Sequence, residues 1–371
     1  MKKLIFTLVA AAPLVLLLSH SKHSSNLFAG FVTGTPEIKS INALAFGPQG
    51  VLFIGDSKSA SIFAIDSKDA VQVDNAAPIT VKNIDQKIAA FLGTDVKNIS
   101  IQDLKVNPLS KKIYCAVQSS DGTPVLLNID AEKIQAVSLK NVSYSQIQIN
   151  NPVSEEAKDR GGRPMRVWAI SDMKYSDGKV FISGLSNQEF GSTFRSIPFP
   201  FNNVQDQSSL EIYHAAHGRF ETTAPIRTFT TAELNGKKFL IASYTCTPLV
   251  LFPLDDLKPG LHVKGRTVGE FGAGNSPIDM ITMKKGGDLF LIMANSDRPV
   301  MKIKYSDIES YQGSLTTQVK EIFSTAGVPY ISYPLVNVVQ LDKLDENRFV
   351  FIQRKSNGDL DLDSKTVNVY D

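Results

Sequence analysis

Six short strings decide the architecture: Ile41-Asn42-Ala43-Leu44-Ala45-Phe46, Ile101-Gln102-Asp103-Leu104-Lys105-Val106, Ile170-Ser171-Asp172-Met173-Lys174-Tyr175, Ile226-Arg227-Thr228-Phe229, Ile278-Asp279-Met280-Ile281-Thr282-Met283 and Val336-Asn337-Val338-Val339-Gln340-Leu341. Each begins with a β-branched apolar residue, continues with a polar one and then alternates, the period-two pattern of a half-buried strand. Their first residues lie 60, 69, 56, 52 and 58 positions apart. After a turn, each string is followed by a second apolar run, at residues 51–54, 113–117, 180–182, 239–242, 289–293 and 349–352, so each opens a hairpin.

Third runs follow at residues 61–66, 125–130, 249–252, 300–305 and 366–371, and weaker fourth runs at 79–84, 135–141, 210–215, 262–268 and 316–323. Four antiparallel strands per unit, repeated every 50 to 70 positions, make an all-β chain and specify a six-bladed β-propeller. A seventh blade would have to come from residues 141–166. The last repeat runs out at Asp371 after its third strand, while residues 28–33 have no partner of their own. The pattern therefore predicts a ring closed by an N-terminal strand that completes the last blade, which avoids two exposed sheet edges. One domain spans residues 27–371, with residues 86–98, 151–166 and 359–364 expected as loops.

This strand pattern resembles the six-bladed propeller superfamily that contains NHL-repeat proteins, gluconolactonase-like lactonases and propellers of the low-density-lipoprotein-receptor type. The resemblance covers nearly the whole domain at the level of strand pattern. No Trp-Asp blade dipeptide, Tyr-Trp-Thr-Asp string or Glu-Gly-Pro entry motif accompanies it, and fold alone does not license a function.

Lys2 and Lys3 precede an apolar run from residue 4 to 18, interrupted by Pro13 and ending in Ser19-His20-Ser21-Lys22. A basic start and a short apolar core read as an export signal over residues 1–21. The run is shorter than the roughly 20 residues that span a bilayer, so no transmembrane span is expected after cleavage. The chain carries 39 Lys+Arg against 37 Asp+Glu, and loss of Lys2 and Lys3 leaves 37 of each sign. Such a balance offers no basic footprint for nucleic acid. The expected compartment is periplasmic or secreted.

In a propeller the inner strands all start at one face, around the mouth of the central channel. The polar second residues of the six strings, Asn42, Gln102, Ser171, Arg227, Asp279 and Asn337, are thus expected to converge there and bind a small polar ligand or an envelope protein partner. The resemblance implies that Asn42, Asp279 and Asn337 are similar in type to the lactonase metal ligands. However, Arg227 joins the same ring, and a hard cation such as calcium wants several oxygen ligands.

Residues 213–227 form a second cluster, containing His214, His217, Glu221 and Arg227, with Tyr244 and Cys246 expected on the same face. Imidazole beside carboxylate suits acid/base work by His217, Glu221 and Arg227. Imidazole beside thiol suits zinc or copper, with His217, Cys246 and Asp279 as the ligands expected. On a straight strand His214 and His217 point to opposite faces, so both can ligate only if the chain turns at Gly218. An enzyme would gather His217, Arg227, Cys246 and Asp279 at one cavity, whereas a binding propeller would scatter them. Cys115 reads as a buried hydrophobe one blade removed from Cys246, too far for a disulfide. Trp168 reads as the wall of a ligand pocket or as a blade-packing residue. The Asp359, Asp361 and Asp363 alternation reads as a solvated hairpin loop.

Overall fold

The computed structural model describes residues 26–367, so the export segment read at residues 1–21 and the last four residues lie outside it. The described strands form six sheets, one per blade. Numbered in chain order, their inner strands are Ala43–Phe46, Ile99–Val106, Asp172–Ser176, Ile226–Leu234, Pro277–Lys285 and Val338–Lys343. The six-bladed reading is correct. Residues 141–166 hold no seventh blade; they supply a strand to blade one and a connection that ends in the short helical turn Arg166–Trp168.

The order of the blades around the ring follows from where apolar side chains meet. Six buried clusters each lie between two blades. Phe53 and Ile62 of blade one pack with Met173 and Ile182 of blade three. Leu44 and Ile54 of blade one also pack with Tyr114 and Ala116 of blade two, and Leu104 and Cys115 of blade two with Val350 and Ile352 of blade six. The remaining clusters join three to four, four to five and five to six. The ring therefore runs two, one, three, four, five, six, with blades one and two exchanged relative to the chain.

The strand pairing explains this exchange and corrects the expected closure. The run at 79–84 does not finish blade one; Thr80–Val81 pairs with Leu360–Thr366 and closes blade six. The fourth strand of blade one is Val142–Gln148, which returns after blade two to lie between Ser61–Asp66 and Val32–Gly34. The N-terminal strand thus adds to blade one rather than to the last blade. A two-residue period sets which faces are buried but not which sheet edge the strand joins. Here side chains choose the edge: Asp361, itself buried, accepts the Asn83 N–H at 3.0 Å and the Lys82 ammonium at 2.8 Å, while Asp85 accepts the Leu360 N–H at 3.1 Å.

Asp361 and Asp363 consequently belong to the third strand of blade six, Leu360–Thr366, and not to a solvated loop, and that strand precedes the run expected at 366–371. Residues 86–98 are not a plain loop either, since Ile84–Phe91 is helical and buries Ile84, Ile88 and Ala89. The outer strand of blade five is Ile331–Ser332 rather than 316–323. Blade three gains a third strand, Ser192–Pro198, that the repeat pattern did not show. No helix among the described residues is long and apolar enough to cross a membrane.

Inner-strand side chains of alternate parity face the channel and fill it with charge. Asp103, Lys105 and Asp279 are all buried, and the Lys105 ammonium lies 3.3 Å from Asp103 and 3.5 Å from Asp279. The carboxylates also clamp neighbouring blades together. Asp103 accepts the Leu44 N–H at 2.6 Å, Asp342 the Val106 N–H at 2.7 Å and Asp172 the Phe229 N–H at 3.0 Å. Burial, only partly offset by Lys105 and reinforced by Asp279 and Asp172, pushes the Asp103 carboxyl up to about 6. Burial opposes the charge on Lys105 as well, but Asp103, Asp279, Asp342 and Asp172 together hold its ammonium well above the ordinary lysine range.

Replacing Lys105 by Met keeps the length of the stem but leaves buried carboxylates without their cation, and a loss of about 3–5 kcal/mol is expected at pH 7. Asp103 binds its proton more readily in the folded protein than in the unfolded one, so acid removes the penalty rather than adding to it. Loss of Lys105 raises the Asp103 carboxyl further, so urea denaturation of the Lys105→Met variant should show a deficit that narrows as pH falls towards about 6. A deficit independent of pH would contradict this account of the channel.

Candidate functional site

The six strings meet, as expected, at one end of the channel, but in a frame that the repeat did not fix. Four of the inner strands carry a β-bulge where they enter the mouth: the register skips Gln102, Arg227, Ile278 and Val339. A bulge turns one residue out of the ladder and re-aims its side chain. Asn42 and Ser171 occupy the matching places, their N–H groups bonding Gly55 and Ser183 oxygens. The alignment of the strings had thus slipped by one residue in blade five and two in blade six.

Asn42, Gln102, Ser171, Arg227 and Asp279 accordingly line one cavity of about 570 Å³, together with Trp168, Lys58 and Gln340. Asn337 does not. It lies exposed outside the strand with φ of 58°, and its carbonyl accepts the Arg354 N–H. Asp279 sits one step deeper than its string position implied, level with Asp103, Asp172, Thr228 and Gln340. Sequence reasoning missed Asp103 and Asp172, although the same strings hold them as the residue after Gln102 and Ser171.

The carboxylates at the floor of this cavity all have partners, whereas the cations at its rim have no carboxylate partner among the described residues. Asp103 and Asp279 share Lys105, and Asp172 accepts bonds from Thr228, Phe229 and Met173. A calcium ion of the lactonase kind would have to displace the Lys105 ammonium that already stands among the carboxylates. At the rim, by contrast, no carboxylate among the described residues pairs with Arg227 or Lys58. The Arg227 guanidinium lies 5.5 Å from the centre of the Trp168 ring. Arg166 sets that ring in place, donating to Ser57 and Val153 carbonyls at 2.7 Å each and so fixing the connection from blade one to blade three. Trp168 is therefore a wall of the mouth. Trp168 and Arg227 also border a second cavity, of about 870 Å³, whose far side carries Lys158, Arg160 and Arg163.

The second cluster is assembled farther out on the same face. The outer strand of blade three ends at His214, the chain turns over residues 215–218, and it returns as Arg219–Glu221. The turn requires Gly218, whose φ is +65° and where a Cβ would meet Gln318 side-chain atoms at 2.8 Å. Because the chain reverses here, the straight-strand argument does not hold, and the His214 and His217 rings lie 3.8 Å apart. Glu221 bridges them, 3.0 Å from His214 Nδ1 and 2.7 Å from His217 Nδ1, and it also receives Arg219 at 3.1 Å. Cys246, in the loop between the second and third strands of blade four, offers its sulfur within 4.8 Å of a ring nitrogen of each histidine.

These positions divide the residue sets expected from sequence. His217 and Glu221 touch, but Arg227 lines the mouth instead of joining them. His217 and Cys246 meet with His214 as their third member, whereas Asp279 lies in the channel. His217 faces a cavity of about 630 Å³ bordered by Arg160, Arg163, Arg219 and Glu221. The four residues that an enzyme would gather at one cavity thus fall into two pairs, Arg227 with Asp279 at the mouth and His217 with Cys246 in the outer cluster. Both thiols are free, and burial pushes the Cys115 thiol up to about 12.

Burial weakens the His214 imidazolium, yet the adjacent Cys246 sulfur and Glu221 carboxylate outweigh it and carry the group up to about 9. Burial raises the Glu221 carboxyl, but His214, His217 and Arg219 bring it down to about 2. The raised histidine contributes stability that is complete below its ordinary value of about 6.5 and is lost as pH rises through about 9. The depressed glutamate contributes above about 4.5 and is lost as pH falls through about 2. Histidine NMR titration should therefore place His214 near 9 in the apo protein and move it down in Glu221→Gln. A His214 that titrates near its ordinary value in both proteins would contradict the pairing.

No family model and no curated protein matches the chain. Among solved structures, 454 chains match in shape. A chain of a structure described as the mitotic checkpoint complex aligns over 99% of both chains at 9% identity and a TM-score of 0.36. The Cps50 (Swd1) β-propeller domain of Myceliophteria thermophila aligns over 88% of this chain and 84% of its own, at 10% identity and a TM-score of 0.37. Raptor of Chaetomium thermophilum aligns over 91% of this chain but only 26% of its own, at 12% identity and a TM-score of 0.31.

Proposed function

We propose that this protein is an exported binding propeller whose mouth takes a small, hydroxylated ligand bearing an acidic group. The observation that carries the reading is the contrast within one cavity: every floor carboxylate has partners, while Arg227 and Lys58 at the rim have no carboxylate partner among the described residues. Arg227 is held open across Trp168, with a planar donor fork suited to a carboxylate or phosphate. Asn42, Gln102, Gln118, Ser100 and Ser171 surround it with amide and hydroxyl groups that recognise hydroxyls. A sugar acid fits this chemistry, its acid beside Arg227 and its ring against Trp168. The basic start and apolar run at residues 2–18 support export. Separation of His217 and Cys246 from Arg227 and Asp279 favours binding without turnover at the mouth.

Two measurements test the reading. In calorimetric titration, sugar acids should bind where the matching neutral sugars do not, with affinity falling as salt rises. Arg227→Ala should weaken binding about tenfold or more, with the melting temperature little changed because the side chain holds no ion pair with any described residue. Neutral sugars that bind equally well, or an Arg227→Ala protein with unchanged affinity, would overturn it. Intact mass of the protein from the envelope fraction should show an N-terminus near Ser21, and an unprocessed chain would contradict export by cleavage.

A further inference from the structure

A site for a borderline-soft transition ion is assembled at the outer edge of blades three and four, separate from the mouth. We propose that His214, His217 and Cys246 bind zinc(II), with Glu221 orienting both imidazoles.

The donor set points to this class of ion. Two imidazoles and one sulfur, mutually within 4.8 Å, are the nitrogen and sulfur ligands zinc selects, and they are not the oxygen ligands of calcium or magnesium. Metal-bound histidines usually give their other ring nitrogen to a carboxylate, which fixes the ring and its tautomer. Here one carboxylate does this for both rings, since Glu221 engages Nδ1 of His214 and of His217. Each ring has only Nε2 left to offer, and Arg219 pins Glu221 in turn.

A second observation points to a missing ligand independently. His214 is 2% exposed and Glu270 is fully buried, yet among the described residues His214 Nε2 and Glu270 Oε1 have no hydrogen-bond partner. Buried polar atoms almost always have one, and these two belong to side chains that face each other, His214 Nε2 lying 4.0 Å from Glu270 Oε2. A zinc ion bonded to Nε2 satisfies the first, while the Glu270 oxygen nearer to it, Oε2, already accepts the Ala216 N–H at 3.1 Å. Ligand atoms around one zinc sit roughly 3.3–3.8 Å apart, given bonds of about 2.0–2.3 Å, so the three side chains have to draw in by about 1 Å. His217, half exposed on its turn, is free to make that move.

Chelator-treated full-length protein, dialysed against zinc(II) and measured by plasma mass spectrometry, should hold one zinc per chain. Cobalt(II) should give the near-ultraviolet thiolate charge-transfer band. Cys246→Ser should abolish the band and weaken zinc by more than about 100-fold. Glu221→Gln should weaken it about 10- to 100-fold through lost orientation, whereas Cys115→Ser and Arg227→Ala should leave it unchanged. Because Arg227→Ala removes the mouth but spares this site, failure of the two proposals is distinguishable. Absence of stoichiometric zinc, or zinc and a cobalt band that survive Cys246→Ser, overturns the assignment. Circular dichroism melting of each variant separates loss of ligand from loss of fold.

Discussion

One ammonium group holds the centre of this ring. Lys105 lies within 4 Å of Asp103 and Asp279 and feels Asp342 and Asp172 across the channel. Three of those carboxylates simultaneously bind the backbone of a neighbouring inner strand. The positive charge therefore permits the carboxylates to be buried, and the carboxylates in turn fix the inner strands of adjacent blades against one another. A single side chain from blade two thereby couples blades one, three, five and six. Apolar packing between blades supplies the bulk of the stability, but it leaves strand height along the channel loosely set. The polar clamps set that height, and with it the level at which the mouth opens.

The mouth inherits its character from this arrangement. Lys105 and the backbone N–H groups engage the floor carboxylates, so the charged groups of the mouth that have no oppositely charged partner among the described residues are Arg227 and Lys58 at the rim. Bulges then lift Gln102 and Arg227 out of their ladders and into the cavity, where Asn42 and Ser171 enter from the matching places just ahead of their strands. The neighbouring cavity beyond Trp168 continues the same cationic surface through Lys158 and Arg160, so a ligand longer than one ring has room to extend away from the axis. The histidine and cysteine cluster lies past that surface, on another part of the same face.

Much of this was legible from the strings themselves because side-chain alternation is a local property. The six inner strands, the hairpins that follow them and five of the six mouth residues come directly from a period of two. What the pattern could not carry is non-local. The edge that Thr80–Val81 joins depends on Asp361 and Asp85 meeting partners more than 270 positions away in sequence, and nothing in residues 79–84 specifies a sheet. The bulges shift the frame by one residue in blade five and by two in blade six, which is why Asp279 sits deeper than expected and Asn337 outside. His214 and His217 were read as opposed because a strand was assumed to continue. Gly218 marks the turn, and its meaning depends on Gln318, which packs against it.

The central claim is that the mouth, rather than the outer cluster or the far end of the channel, receives the ligand. Hydrogen–deuterium exchange of the full chain with and without a bound sugar acid tests it most directly. The account predicts slower exchange confined to peptides that contain residues 40–42, 100–102, 167–171 and 225–228, with residues 213–221 unchanged. Protection centred on residues 213–221, or on residues 342–346 at the opposite end of the channel, would contradict it.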